Sequence, residues 1–182
     1  WDYLPVFIKT AQPLTKMDDP TQSEKEYIRQ VESLDWMMKP SAFTASKMLG
    51  IGTHLKSPKI LDLGAGSGVW SFQMLQDDPT ASCTLVDWEG VLQVARQKAT
   101  TAGFEKRVTY KSGDYHKVDF GQEYDVVILG NVTHLENEAG LQNLLTRALQ
   151  ALKTNGQLVI FDVFPTQERG KLSTPLYALG LA

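Results

Sequence analysis

The sequence predicts an α/β fold: a doubly wound, Rossmann-like, mostly parallel sheet of strand order 3-2-1-4-5, preceded by helices. Three observations predict it. From Pro58 onward, short β-rich runs alternate with helix-period runs and no hairpin signal intervenes, the pattern of a parallel sheet covered on both faces. Right-handed crossovers make 3-2-1-4-5 the usual arrangement of such runs. The first run enters a glycine-rich turn, and polar residues collect at or just past the carboxyl ends of the runs, where a doubly wound sheet opens its ligand crevice.

The elements follow in order. Residues 1–57 are polar, with Pro at 5, 13, 20 and 40, and form an N-terminal connector with helices ahead of a domain at 58–182. Ser23-Glu24-Lys25-Glu26 has capping-box spacing, and Tyr27, Ile28, Val31 and Leu34 recur at helical spacing through Met38. A second helix is expected after Pro40, through Phe43 and Met48 to Gly50 or Gly52. Met37, Met38 and Phe43 read as a core-packing stripe. Lys59–Leu63 is the first strand, Val69–Gln76 a helix, Ser82–Asp87 the second strand, and Gly90–Thr101 the next helix. Arg107–Tyr110 and Tyr124–Gly130 are strands three and four. Leu141, Leu144, Leu145, Ala148 and Leu152 mark the inner stripe of a long helix. Thr154-Asn155-Gly156 stops that helix before a fifth strand at 157–162. A last helix is expected over Leu176–Leu181.

Composition narrows the function classes. The 182 residues carry 18 Lys and Arg against 21 Asp and Glu, a net charge of −3. No segment gathers the cations that a phosphate-reading surface needs, so no nucleic-acid partner is expected. No apolar run reaches the roughly 18 residues of a membrane span. Cys83 alone makes no intrachain disulfide. The start lacks a signal-peptide pattern and an initiating Met, so a fragment of a cytoplasmic protein is expected. The three His stand apart with no metal-ligand spacing, and no metal site is assigned.

Gly64-x-Gly66-x-Gly68 joins strand 1 to a helix. Glycine lets backbone approach a ligand where a Cβ would intrude. The spacing differs from the dinucleotide fingerprint, whose third glycine would fall where Val69 stands. An NAD oxidoreductase is therefore the least favoured class. Asp87, at the tip of strand 2, can accept both ribose hydroxyl hydrogens of a nucleoside over the loop. Asp114 is placed to reach an adenine amino group, with Trp88 and Tyr115 walling the ring.

These motifs together resemble class I S-adenosylmethionine-dependent methyltransferases. Ile60-Leu61-Asp62-Leu63-Gly64-Ala65-Gly66-Ser67-Gly68, Leu85-Val86-Asp87-Trp88, Gly113-Asp114-Tyr115 and Asn131-Val132-Thr133-His134 are most similar to the plant-type and bacterial small-molecule O-methyltransferases. The similarity spans about residues 58–165, and Trp1–Leu14 weakly resembles the connector from an N-terminal dimerisation domain. The resemblance implies S-adenosylmethionine as cofactor, held by Asp62, Gly64, Gly66, Gly68, Asp87, Trp88, Gly113, Asp114, Tyr115 and Asn131. It also implies a small-molecule acceptor, a homodimer through a missing N-terminal domain, and C-terminal strands missing from this chain.

In that family a His at the position of His134 is the general base for a hydroxyl, and Asp162 matches an acid that orients it. Neutral imidazole suits the proton to be removed. The family usually continues His-Asp-Trp or His-His-Phe-Asp, whereas this chain has His134-Leu135-Glu136-Asn137-Glu138. His54 and His116 read as surface residues. The expected activity is methyl transfer to a hydroxyl of an aromatic or polyketide-like metabolite. Methyl transfer to carbon or nitrogen, and a non-catalytic donor-binding or dimerising module, stay open.

Overall fold

The structure, a computed structural model, describes residues 2, 4–10 and 20–164. The chain divides into two compact units, Trp1–Ser23 with Val163–Ala182, and Glu24–Asp162. The described part of the first includes a seven-residue helix, α1 (Leu4–Thr10). The expected helix at 176–181 lies outside the described residues.

The second unit is built on five parallel strands: β1 (Lys59–Leu63), β2 (Ser82–Asp87), β3 (Val108–Ser112), β4 (Tyr124–Gly130) and β5 (Leu152–Phe161), in the order β3-β2-β1-β4-β5. The predicted order is the observed one. Side chains alternate across the sheet, so neighbouring residues of one strand serve two cores. Ile60, Cys83, Leu85, Val126 and Ile128 face Trp70 and Met74 of α3 (Val69–Asp77) and Leu92 and Ala95 of α4 (Glu89–Ala102). Leu61, Leu63, Val86, Val127 and Leu129 face Leu144, Ala148 and Ala151 of α5 (Glu138–Ala151). Two buried faces explain why β1 and β4 are apolar almost throughout.

The N-terminal helices differ from expectation. One 30-residue helix, α2 (Pro20–Leu49), replaces the expected pair. It begins ahead of Ser23, which therefore lies inside the helix rather than at its cap position. It also runs through Pro40, where a missing N–H and a ring clash cost about 3 kcal/mol or more. Burial on both sides of the proline offsets that cost: Val31 and Asp35 before it, Ala42 and Ser46 after it. Ala42 belongs to the sheet's core, so packing holds the helix across the break. Met38 packs on the same core, whereas Met37 and Phe43 are exposed, against the expected stripe. Although composition separates 1–57 from 58–182, α2 from Glu24 onward shares one compact unit with the sheet.

The other boundary difference is at β5, which starts at Leu152 without a loop. Leu152 pairs with Tyr124, and regular pairing resumes at Gln157 with Val126. The intervening Lys153–Gly156 bulges out, with Asn155 at φ 67°. Among the described residues no helix is long and apolar enough to cross a membrane.

Candidate functional site

The crevice opens where the strand order reverses, at the carboxyl ends of β1 and β4. Gly64, Gly66 and Gly68 all have positive φ (68°, 57° and 79°), a region that L side chains rarely adopt. A Cβ on Gly64 would stand 2.6 Å from Val132 Cγ2, and one on Gly66 3.3 Å from Val31 Cγ2. The loop is also tied on two sides. The Gly66 N–H donates to Asp87 Oδ2 at 2.8 Å, and the Ser67 hydroxyl donates to Asp35 Oδ1 at 2.8 Å. Buried Asp35 is itself paired with Lys98 at 2.9 Å and Lys39 at 3.4 Å. A backbone cradle this close to a fixed carboxylate suits a polar, cationic nucleoside.

Asp87 accepts from the Gly66 and Trp88 N–H groups, which leaves its carboxylate oxygens lone pairs for a ligand. Burial pushes this carboxyl up to about 6 against those two bonds, and the nearby Glu24 charge adds to the rise. Glu24 in turn accepts from the Gly90 N–H at the start of α4.

Asp62 needs correction as a ligand contact. Its residue is fully buried, and its Oδ2 accepts from Ser71 at 2.8 Å, so it braces the start of α3 beneath the loop. Burial pushes its carboxyl up to about 7, and its Oδ1 has no hydrogen-bond partner.

Beyond β3, the Gly113 N–H donates to the Asp87 carbonyl. Asp114 spends its carboxylate on its own turn, accepting from the His116 N–H at 2.8 Å and pairing with Lys117 at 3.2 Å. The Tyr115 ring stands beside Gly64, 3.9 Å from where a Cβ would lie. Trp88 is half-buried, just ahead of the first turn of α4. Asn131 follows β4 in a left-handed conformation, φ 60°, its N–H donating to the Phe161 carbonyl at 2.7 Å.

His134 and Asp162 meet because β4 and β5 are neighbours, each residue lying just past its strand. Asp162 accepts from the Thr133 hydroxyl at 2.6 Å and the His134 N–H at 3.1 Å. The same carboxylate lies 2.9 Å from His134 Nδ1. The Asp162 side chain is 1% exposed and that of His134 17%. A carboxylate on Nδ1 favours the tautomer with its proton there, which makes Nε2 the basic nitrogen.

Sequence reasoning missed Asp35, Val132 and Glu136. Glu136 Oε1 accepts from the Tyr115 hydroxyl at 2.7 Å and lies 2.9 Å from His116 Nε2, so His116 is part-buried and partnered. The one signal was the departure of the run after His134 from the family pattern. A separate groove of about 560 Å³ between α2 and β5 is lined, among the described residues, by non-titratable side chains such as Thr44, Met48, Trp70 and Val159.

An O-methyltransferase domain pattern matches residues 10–182. The chain is 35% identical over 125 residues to acetylserotonin O-methyltransferase of Bos taurus, covering 68% of this chain and 36% of that protein. It is 22% identical over 176 residues to 3-hydroxy-5-methyl-1-naphthoate 3-O-methyltransferase of Streptomyces sahachiroi, covering 96% and 51%. Human N-acetylserotonin methyltransferase, solved with SAM, superimposes with a TM-score of 0.75 at 24% identity, over 100% of this chain and 54% of that one. The chain thus spans about a third to a half of the length of these relatives.

Proposed function

The chain belongs to the O-methyltransferase domain family, and from that premise we propose that it binds S-adenosylmethionine and directs its methyl group to a hydroxyl of a small aromatic or polyketide-like metabolite. The observation that carries the reading is the His134–Asp162 pair, 2.9 Å apart and past the carboxyl ends of β4 and β5, on the same sheet edge at which the glycine loop leaves β1. When bound, the donor supplies an electrophilic methyl on a sulfonium that is already a good leaving group. The chain's own task is then to hold, orient and remove a proton.

Each task has residues suited to it. The backbone at Gly64 and Gly66 admits the donor's methionine part, and Asp87 accepts from the ribose hydroxyls. Tyr115 and Trp88 wall the adenine. Asp114, engaged by His116 and Lys117, meets the base only with lone pairs those groups leave over. His134 Nε2 takes the acceptor's hydroxyl proton, and Asp162 stabilises the imidazolium that results. The similarity to acetylserotonin and 3-hydroxy-5-methyl-1-naphthoate O-methyltransferases makes such hydroxylated aromatics the first acceptors to try.

The test is transfer of labelled methyl from S-adenosylmethionine to a phenol panel. His134→Ala should cut turnover by roughly 10²–10⁴ while leaving donor affinity within about twofold. Full turnover in that variant would remove His134 from the mechanism. Label appearing on carbon would redirect the reading to C-methylation.

A further inference from the structure

Glu136 is a carboxylate that the proposed chemistry leaves unused, and it stands where the two sides of the crevice meet. Its side chain is 10% exposed. It follows directly on the one-turn helix Thr133–Leu135 that carries His134, and it reaches across to Tyr115 and His116 beyond β3. The backbone there is already pinned, because the Arg147 guanidinium donates to the carbonyls of Tyr115 and Val118. What Glu136 adds is control of the Tyr115 side chain. An ionised carboxylate is acceptor-only and makes stronger bonds than a neutral group. Burial and the Glu136 charge both raise the Tyr115 phenol above its ordinary range, so the hydroxyl stays protonated and keeps donating.

We infer that Glu136 is a positioning residue of the donor site: by engaging Tyr115 and His116 together, it holds the Tyr115 ring beside Gly64 and locks the donor wall to the turn that carries His134. The inference rests on the reading of this crevice as the S-adenosylmethionine site. It also gives a role to the departure from the family pattern after His134, since Glu136 lies within that run.

The experiment titrates the full wild-type chain and Glu136→Ala, Glu136→Gln, Tyr115→Phe and Tyr115→Phe/Glu136→Ala with S-adenosylmethionine, and records each free protein's thermal midpoint. Glu136→Ala should weaken donor binding about tenfold, the scale of one charge-assisted bond. With its amide oxygen where Oε1 stands, Glu136→Gln can still accept from Tyr115 and from a His116 ring that carries its proton on Nε2, and should stay within about threefold of wild type. Tyr115→Phe should match Glu136→Ala, and the double variant should fall no further, as expected of partners in one interaction. Donor affinity unchanged in Glu136→Ala, no rescue by Gln, or an additive double variant would each overturn the inference. Should Glu136→Ala not fold, Tyr115→Phe lacks only the hydroxyl, and wild-type affinity in it overturns the inference equally. Failure of the wild-type chain to bind the donor overturns the reading beneath it, and is seen before any variant is compared.

Discussion

Replacing Asp62 with asparagine isolates the carboxyl that the fold keeps driest. In the unfolded chain this group ionises near 3.8, and in the folded chain burial pushes it up to about 7. The folded state therefore holds a proton that the unfolded state has released, and stability drains away as pH rises through 7. At about 1.4 kcal/mol for each pH unit between the two values, the full loss is about 4 kcal/mol. Roughly 3 kcal/mol of it falls between pH 5 and pH 8. Asp87, pushed up to about 6, contributes with the same sign, roughly 1 kcal/mol over that interval. The Asp62→Asn side chain has no proton to lose. Its oxygen can still accept from Ser71, but its amide N–H groups would sit where Asp62 Oδ1 has no partner, a pH-independent cost of about 1–3 kcal/mol. The variant should thus gain on wild type by roughly 3 kcal/mol between pH 5 and pH 8 and be the more stable of the two at pH 8. Urea unfolding followed by circular dichroism at pH 5, 6, 7 and 8 and constant ionic strength measures both curves. Parallel curves would refute the reasoning, because they would mean that Asp62 titrates alike in the two states.

Other perturbations follow from the same geometry. Donor affinity should fall about tenfold for each pH unit below about 6, as Asp87 takes up its proton, and Asp87→Asn should bind weakly and lose that dependence in calorimetric titration. Asp162→Asn should reduce turnover by up to about 10⁴, the scale seen when an amide replaces the carboxylate that sets a general-base imidazole's tautomer, with donor affinity unchanged in the same titrations. Gly64→Ala forces a Cβ to 2.6 Å from Val132 Cγ2 at φ 68°; the conformation alone costs roughly 1–2 kcal/mol, so thermal unfolding should shift down by several degrees and donor binding should be lost.

Much of the sheet was legible because its residues announce it locally. Strands β2 and β4 fall where β-rich, doubly buried runs predict them, and the glycine turn after β1 has the positive φ that its composition suggests. The failures share a cause, which is that distant packing overrode a local preference. Pro40 and the Ser23 box argue for helix breaks and caps, yet Ala42 packs into the sheet's core and the Ser46 hydroxyl donates to Asp77, holding the helix across the proline. Leu152 fits a helical stripe, but an open partner at Tyr124 draws it into β5.

The sequence by itself determined the class of fold, the strand order, and the candidate residues at the strand ends, because periodicity and turn chemistry act over a few neighbouring residues. The tertiary structure alone decided what those residues do. It buried Asp62 under the loop, turned Asp114 onto its own turn, closed Asp162 onto His134 across 28 residues, and joined Glu136 to Tyr115 across 21. Hydrogen bonds and desolvation depend on distance in space, and separation along a chain does not encode it.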